Sequence, residues 1–131
     1  MVLNAKAPYT TGYKIMSDDK IIKILFFGDM VGRPGRFAVR DYLAKQSGEL
    51  FNTCHSQFII ANVENASHGF GLTEKNYNEI SEYGVDCMTS GNHIWDKKEI
   101  FNYIDRADKL VRPINYPDGT VGCGSRIFEI N

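Results

Sequence analysis

Short apolar runs alternate with longer amphipathic stretches along most of the chain. Three of these runs have the length of buried strands, and each is followed closely by polar residues. They are Ile21–Phe27, Gln57–Asn62 and Val85–Thr89. A fourth, very short strand is predicted at Leu110 and Val111, and Ser125–Ile130 is predicted to form a final strand.

Helices are predicted in the stretches between the strands. The first extends from about Arg36 to Lys45, after a glycine-rich loop over residues 28–35. Its candidate inward-facing residues are Phe37, Tyr42 and Leu43. The second extends from Thr73, a suitable N-cap, to about Tyr83, and Gly84 is a natural C-terminal stop.

A third helix is predicted to begin at Asp96, because Asp96 and Glu99 have the spacing of a capping box. Ile100, Phe101 and Ile104 would give this helix an apolar face. The complete order, β-α-β-α-β-α-β, predicts an α/β fold with a parallel sheet and right-handed crossovers.

Polar residues with metal-binding chemistry follow the three main strands. They are Asp29, Glu64, Asn65, Asn92 and His93. Parallel strands place their carboxyl ends on one edge of the sheet, where open α/β folds bind ligands, so we expect these side chains to converge. Two carboxylates, two carboxamides and an imidazole predict a site for hard metal ions.

Each of these residues, taken alone, also has a structural explanation. Asp29 can start a turn or cap a helix, and Glu64 and Asn65 can bond to their own backbone. A lone histidine at a strand end is commonly a structural residue. Their coincidence at three matching strand ends favours a functional site, in which a carboxylate can bridge two ions and His93 can act as general acid or base.

Several side chains near this edge are weaker candidates. His68 lies in a glycine-rich loop and is a candidate substrate contact. Trp95 is expected to pack in the core rather than to stack on a substrate. Arg33, Arg36 and Arg112 can attract a phosphate, but we expect them to be solvated surface residues.

Length, charge and cysteine content narrow the class of protein. The 131 residues are expected to form one domain, and a net charge of −1 gives no reason to expect nucleic acid or a membrane as a partner. Three widely spaced cysteines without a CxxC motif indicate reduced thiols in the cytoplasm, with Cys87 in the core.

Residues 1–20 lack a signal-peptide pattern and are expected to be a disordered lead-in, with Met16 as an alternative start.

Five blocks of the sequence occur in the order of a known family. They are Gly28–Arg36, Asn62–Ala66, Gly71–Glu74, Gly91–Glu99 and Val111–Pro113. Their sequences, GDMVGRPGR, NVENA, GLTE, GNHIWDKKE and VRP, resemble the YmdB-like branch of the calcineurin-like metallophosphoesterases. The resemblance runs from about Lys23 to the end, and it implies that residues 21–131 form half of a metallophosphoesterase α/β sandwich.

The resemblance also implies a chemistry and a role for each site residue. It implies a binuclear site, usually of iron or manganese, that hydrolyses small phosphoesters including cyclic nucleotides. Asp29 would bind the first metal, and Asn65 would complete that metal's site. Glu64 would bridge both metals. Asn92 would bind the second metal, and His93 would donate a proton to the leaving oxygen.

The chain departs from this family in its length and its histidines. Family members are considerably longer, and their second half supplies further histidine ligands, whereas no histidine follows His93 here. We therefore expect a truncated N-terminal half, whose site a homo-oligomer partner or a complementing C-terminal half would complete. The alternative is a non-catalytic metal- or nucleotide-binding module, or an inactive degenerate fragment.

Overall fold

The computed structural model describes residues 22–50 and 56–130. The expected lead-in of residues 1–20, the alternative start at Met16 and the thiol of Cys54 lie outside this part of the chain. The elements are β1 (Ile22–Asp29), α1 (Gly32–Leu50), β2 (Ser56–Asn62), α2 (Glu74–Glu82), β3 (Cys87–Thr89), the 3-10 segments Asn92–Asp96, Lys98–Asn102 and Ile104–Arg106, and β4 (Leu110–Val111).

The four strands form one parallel sheet in the order β1-β2-β3-β4, which confirms the predicted α/β class. Because each strand lies next to its successor, right-handed crossovers bring both α-helices and the 3-10 segments onto one face. The core lies on that face. It includes Leu25, Val39, Leu43, Ile59, Ile80 and Met88. Cys87 is also buried, as predicted. Among the described residues, no helix combines the length and apolar character needed to cross a membrane.

Helix α1 begins four residues before the predicted start and extends to Leu50. The glycine–proline cluster indicated a loop, but it forms the first turn of the helix. Proline is tolerated there, because the N–H groups of a first turn have no partner within the helix and the N–H that Pro34 lacks is not needed. Gly35 packs closely here, since a Cβ on it would lie 3.2 Å from the backbone of Met30. Composition alone therefore misplaced the start of this helix.

The inward face of α1 also differs in part from the prediction. Leu43 is buried as expected, and Val39, one turn earlier, is the buried residue that the prediction missed. Tyr42 is 41% exposed, and its ring lies 5.7 Å from that of Phe27 and nearly perpendicular to it. Phe37 is half-buried beneath the guanidinium of Arg33.

The predicted third helix is wrong as an α-helix, because residues 92–106 form three short 3-10 segments. Glu99 does not complete a capping box with Asp96; its carboxylate accepts a hydrogen bond from the N–H of Glu74 at the start of α2. Ile100 and Ile104 are buried as predicted, whereas Phe101 is 55% exposed. Contacts to α2 and the core therefore override the local helical pattern.

The predicted strand at Ser125–Ile130 is also wrong, because these residues are irregular. The guanidinium of Arg126 donates to the carbonyl groups of Leu110 and Ala107, so a side chain binds where a fifth strand would have paired. A tight turn lies just before these residues, where the N–H of Thr120 donates to the carbonyl of Pro117 and Gly119 has a φ of 82°. Helix α2 has Thr73 as its N-cap and Gly84 just after its end, both as predicted.

Within the part of the chain that the structure describes, the second face of the sheet carries apolar side chains with little cover. We call this surface the open face; it consists of Ile22, Ile24, Phe26, Phe58 and Ile60. Ile22, Ile24 and Phe26 are 39%, 49% and 57% exposed. The ring of Phe128, 5.2 Å from that of Phe58, covers part of the surface. Parallel sheets are normally covered on both faces, so the open face is an unusual feature of this chain.

Candidate active site

The carboxyl ends of β1, β2 and β3 lie side by side at one edge of the sheet. Asp29 is the last residue of β1, and a shift in register after Phe27 pairs it with Asn62 at the end of β2. The N–H of Val63 donates to the carbonyl of Thr89 at the end of β3. Strand pairing alone therefore brings the segments after the three strands together, as the sequence predicted.

The side chain of Asn65 joins Asp29 to His93. Its amide nitrogen donates to the two carboxylate oxygens of Asp29 at 3.0 and 2.9 Å, and its amide oxygen lies 2.7 Å from Nδ1 of His93. With no cation between them, a reversed amide would place its oxygen against two carboxylate acceptors, so this orientation is the favoured one. Because a carboxamide oxygen only accepts, Nδ1 of His93 must carry a proton, which leaves Nε2 available to a substrate.

Glu64 lies against the backbone of the third segment. The N–H of His93 is 3.4 Å from its Oε2. A Cβ built on Gly91 would lie only 2.1 Å from the same oxygen and 2.6 Å from the carboxyl carbon. Gly91 has an extended backbone that any residue adopts, so the carboxylate of Glu64 is the reason for glycine there. Asn92 lies between Gly91 and His93 and is exposed.

The loop that carries Glu64 and Asn65 is anchored on its inner side. The carbonyl of Asn65 accepts from the N–H of Gly32 at 2.9 Å, and that of Ala66 accepts from the guanidinium of Arg36 at 2.6 Å. The hydroxyl of Ser67 is fully buried and accepts from the amide of Asn76 in α2. These bonds fix the loop to both helices, so the site residues have defined positions.

Arg36 is therefore not the solvated residue that the sequence suggested. Its side chain is only 11% exposed and pairs with Glu79 of α2 at 3.0 Å. Burial alone raises the pKa of Glu79, but the hydrogen bond from Tyr83 and the charge of Arg36 reverse this and lower it. Burial and the bond to Glu79 raise the pKa of Tyr83 to about 12. These three residues hold α1 and α2 together behind the site.

The remaining candidates have separate roles. Arg112 is half-buried and bonds the carbonyls of Val121, Pro113 and Thr120, so its role is structural. Trp95 packs against the core as expected, stacked on Phe101. His68 is exposed with a φ of 60°, and it lines, with Arg33, a cleft of about 560 Å³ beside α1.

One aromatic residue at the site has no counterpart among the sequence candidates. The ring of Phe70 lies 5.4 Å from that of His93, at an interplanar angle of 47°. Phe70 is 56% exposed. A phenylalanine between two glycines in a loop has no periodic signal, and only the folded loop places it beside the histidine.

The donor atoms at this edge suit a hard cation only in part. The oxygens of Asp29, Glu64 and Asn92 are of the type that such ions bind. The described ranges contain no group of three or more His, Cys, Asp or Glu side chains able to hold a metal by themselves. As a ligand, Asn65 would have to turn its amide oxygen from His93 toward Asp29. The residues present therefore fit one part of a metal site rather than a complete one.

Comparison with known proteins identifies the family. The family model described as YmdB-like protein matches residues 25–131. The chain belongs to the YmdB-like family. This confirms the resemblance found in the sequence blocks.

One curated relative resembles this YmdB-like chain in sequence, and two solved structures share its fold. A 2′,3′-cyclic-nucleotide 2′-phosphodiesterase of Bacillus subtilis is 49% identical over 110 residues, which cover 84% of this chain and 40% of the relative. The structure of a novel phosphatase from Mycoplasma pneumoniae is 36% identical with a TM-score of 0.71, covering 84% of this chain and 39% of that one. A hypothetical protein of Thermus thermophilus is 40% identical with a TM-score of 0.66, covering 77% and 37%. The chain thus spans about two fifths of the length of these relatives.

Proposed function

We propose that this chain is part of a metal-dependent phosphodiesterase that hydrolyses small phosphoesters, with 2′,3′-cyclic nucleotides as the leading substrate class. The observation that carries the proposal is the hydrogen-bonded line from Asp29 through Asn65 to His93, with Glu64 beside it. The YmdB-like family and the name of the Bacillus subtilis relative support a phosphoesterase activity.

The metal-binding residues that we propose are those predicted from the sequence. Asp29, Glu64 and Asn92 would hold the ions through oxygen atoms, with Asn65 as a fourth ligand once its amide turns. Two ions of iron or manganese would neutralise the charge of the phosphate and supply an activated water. Since the described residues alone do not make a complete site, we propose that a partner chain or a complementing C-terminal half supplies the other ligands.

His93 is the proposed general acid in this reaction. Water adds its oxygen to phosphorus as the bond from phosphorus to the leaving oxygen breaks. That oxygen takes the proton on Nε2 of His93, while water gives up a proton to solvent. With its amide turned to act as a ligand, Asn65 would donate from its NH2 group to Nδ1 of His93, so the ring proton would be on Nε2 and face the substrate. His93 is regenerated when it takes up a proton from solvent.

Free thiols support the proposed cytoplasmic location. Cys87 and Cys123, the cysteines that the structure describes, are unpaired, and one of them is exposed. Exposed free thiols persist in reducing compartments.

Hydrolysis and metal binding are tested separately. We expect the chain, with Mn²⁺ and its complementing half, to hydrolyse bis-p-nitrophenyl phosphate and 2′,3′-cyclic AMP, and Asp29→Ala or His93→Ala to abolish turnover. Calorimetry of the chain alone should show Mn²⁺ binding that Glu64→Ala removes and that Asp118→Ala, a change in an exposed turn, retains. Metal or nucleotide binding without turnover in the complemented protein would favour the non-catalytic module. Absence of both binding and turnover would exclude the proposal.

A further inference from the structure

The loop over residues 66–71 holds an aromatic ring outside the core. The N–H of Ser67 donates to the carbonyl of Gly71 at 3.0 Å, and the N–H of Phe70 donates to the carbonyl of Ser67 at 3.3 Å. His68, Gly69 and Gly71 all have positive φ values, of 60°, 93° and 70°. This closed loop directs Phe70 away from the buried Leu72 that follows it.

The position of Phe70 relative to His93 is fixed by close packing of the backbone. A Cβ on Gly71 would lie 3.2 Å from the carbonyl oxygen of His93 and 2.8 Å from Cγ of Lys97. The residue after Phe70 therefore lies directly on the segment that carries His93, and the two rings are 5.4 Å apart. Phe70 is 56% exposed, so much of its ring is open to a ligand that enters beside His93.

We propose that Phe70 is the stacking platform for the base of a cyclic-nucleotide substrate. This inference rests on the proposed function, in which His93 protonates the leaving oxygen. In a 2′,3′-cyclic nucleotide opened at the 2′ position, the leaving oxygen is on C2′ and the base is on C1′, its directly bonded neighbour. A substrate oriented for protonation by His93 thus has its base within reach of the ring beside His93.

Stacking on Phe70 would make the site selective for the class of substrate. Every base offers a flat π-face, so the ring favours nucleotides over phosphoesters that lack a base without reading the identity of the base. Purines, with the larger ring system, would bind more tightly than pyrimidines. Phe70 is on this view a specificity residue, and the chemical step depends on other groups.

The first test compares substrates with and without a base. We expect Phe70→Ala to raise the KM of the complemented enzyme for 2′,3′-cyclic AMP about tenfold, within the range found when an aromatic side chain that stacks on a base is replaced by alanine. Its kcat for that substrate, and both constants for ethylene phosphate, a cyclic phosphodiester without a base, should stay unchanged. Phe70→Tyr should behave as the wild type. The control is Phe101→Ala, which removes an equally exposed ring that contacts Trp95.

The second test needs neither metal nor turnover. In EDTA, titration of the chain with 2′,3′-cyclic AMP or with adenosine should move the ring-proton signals of Phe70 upfield, and ethylene phosphate should not. If nothing is hydrolysed but these shifts occur, the proposed function fails and the base-binding role stands. Two results would contradict the role of Phe70 if 2′,3′-cyclic AMP is hydrolysed. One is that Phe70→Ala raises the KM for 2′,3′-cyclic AMP and for ethylene phosphate equally, and the other is that no shift of the Phe70 signals occurs.

Discussion

Two small groups determine how the site is organised at the scale of single residues. The amide of Asn65 is a donor toward Asp29 and an acceptor toward His93, a pair of roles that neither a carboxylate nor an apolar side chain can provide. Gly91 contributes only the absence of a side chain, and the carboxylate of Glu64 occupies that space. The positions of Glu64 and His93 therefore depend on neighbours that carry no charge.

Replacement of Gly91 tests this arrangement directly. In Gly91→Ala the new methyl group would overlap the carboxylate of Glu64, which is the mobile end of a side chain and would be displaced. We expect Mn²⁺ affinity to fall about tenfold or more, as when residues that orient metal ligands are changed. Calorimetry measures this loss, and thermal unfolding should show only a small change in stability.

Gly28 provides the matched control for that experiment. It precedes Asp29 directly, yet a Cβ on it would meet no atom within 4 Å. Gly28→Ala should therefore leave Mn²⁺ affinity unchanged. Equal losses of Mn²⁺ affinity in the two variants would show that the space at Gly91 is not needed to position Glu64.

At the scale of elements, the packing of α1, α2 and the loop between β2 and α2 positions the site. Arg36 joins all three, through Glu79 and the carbonyl of Ala66. Its side chain is 11% exposed, so loss of the ion pair leaves Glu79, in a half-buried position, without a positive partner and with only the hydroxyl of Tyr83. Desolvation of the carboxylate, which the charge of Arg36 now offsets, would then destabilise the fold.

Substitution of Arg36 tests this connection. We expect Arg36→Met to lower the free energy of unfolding by about 3 kcal/mol, the lower end of the range for a buried pair that loses one partner. Arg40→Met is the control, because Arg40 forms an exposed pair with Asp41 and should contribute less than about 1 kcal/mol. Chemical denaturation of both variants measures the difference, and equal effects would contradict the linking role of Arg36.

Sequence patterns predicted the elements whose signals are local. Apolar runs gave the parallel strands, and Thr73 and Gly84 marked the ends of α2. The meeting of Asp29, Asn65 and His93 followed from topology, because parallel strands end on one edge. The predictions failed where contacts distant in sequence decide the structure.

Four cases share that cause. Glu99 binds the start of α2 instead of capping its own segment. Arg126 donates a hydrogen bond from its side chain to the carbonyl of Leu110 in β4. Gly91 has an ordinary extended backbone, so nothing in the sequence reveals that Glu64 requires glycine there. Phe70 likewise becomes a site residue only after the glycine-bounded loop folds back on the segment that carries His93.

At the scale of the whole molecule, all crossovers lie on one face of the sheet and leave the open face with little cover. Strand β1 is apolar on both sides, since buried Leu25 alternates with the exposed Ile24 and Phe26. Burial of one such side chain stabilises a protein by about 1.5–3 kcal/mol. Several of them exposed together favour association with any apolar surface of matching shape.

We therefore expect the chain alone to bind the dye ANS and to self-associate as its concentration rises. Ile24→Lys combined with Phe26→Lys should reduce both effects, because two charges cannot be buried against a second apolar face without partners. Phe101→Lys, at an equally exposed ring outside the open face, is the control and should leave both unchanged. Sedimentation velocity over a range of concentrations measures the association. A single monomer boundary at every concentration, without ANS binding, would show that the open face does not drive assembly.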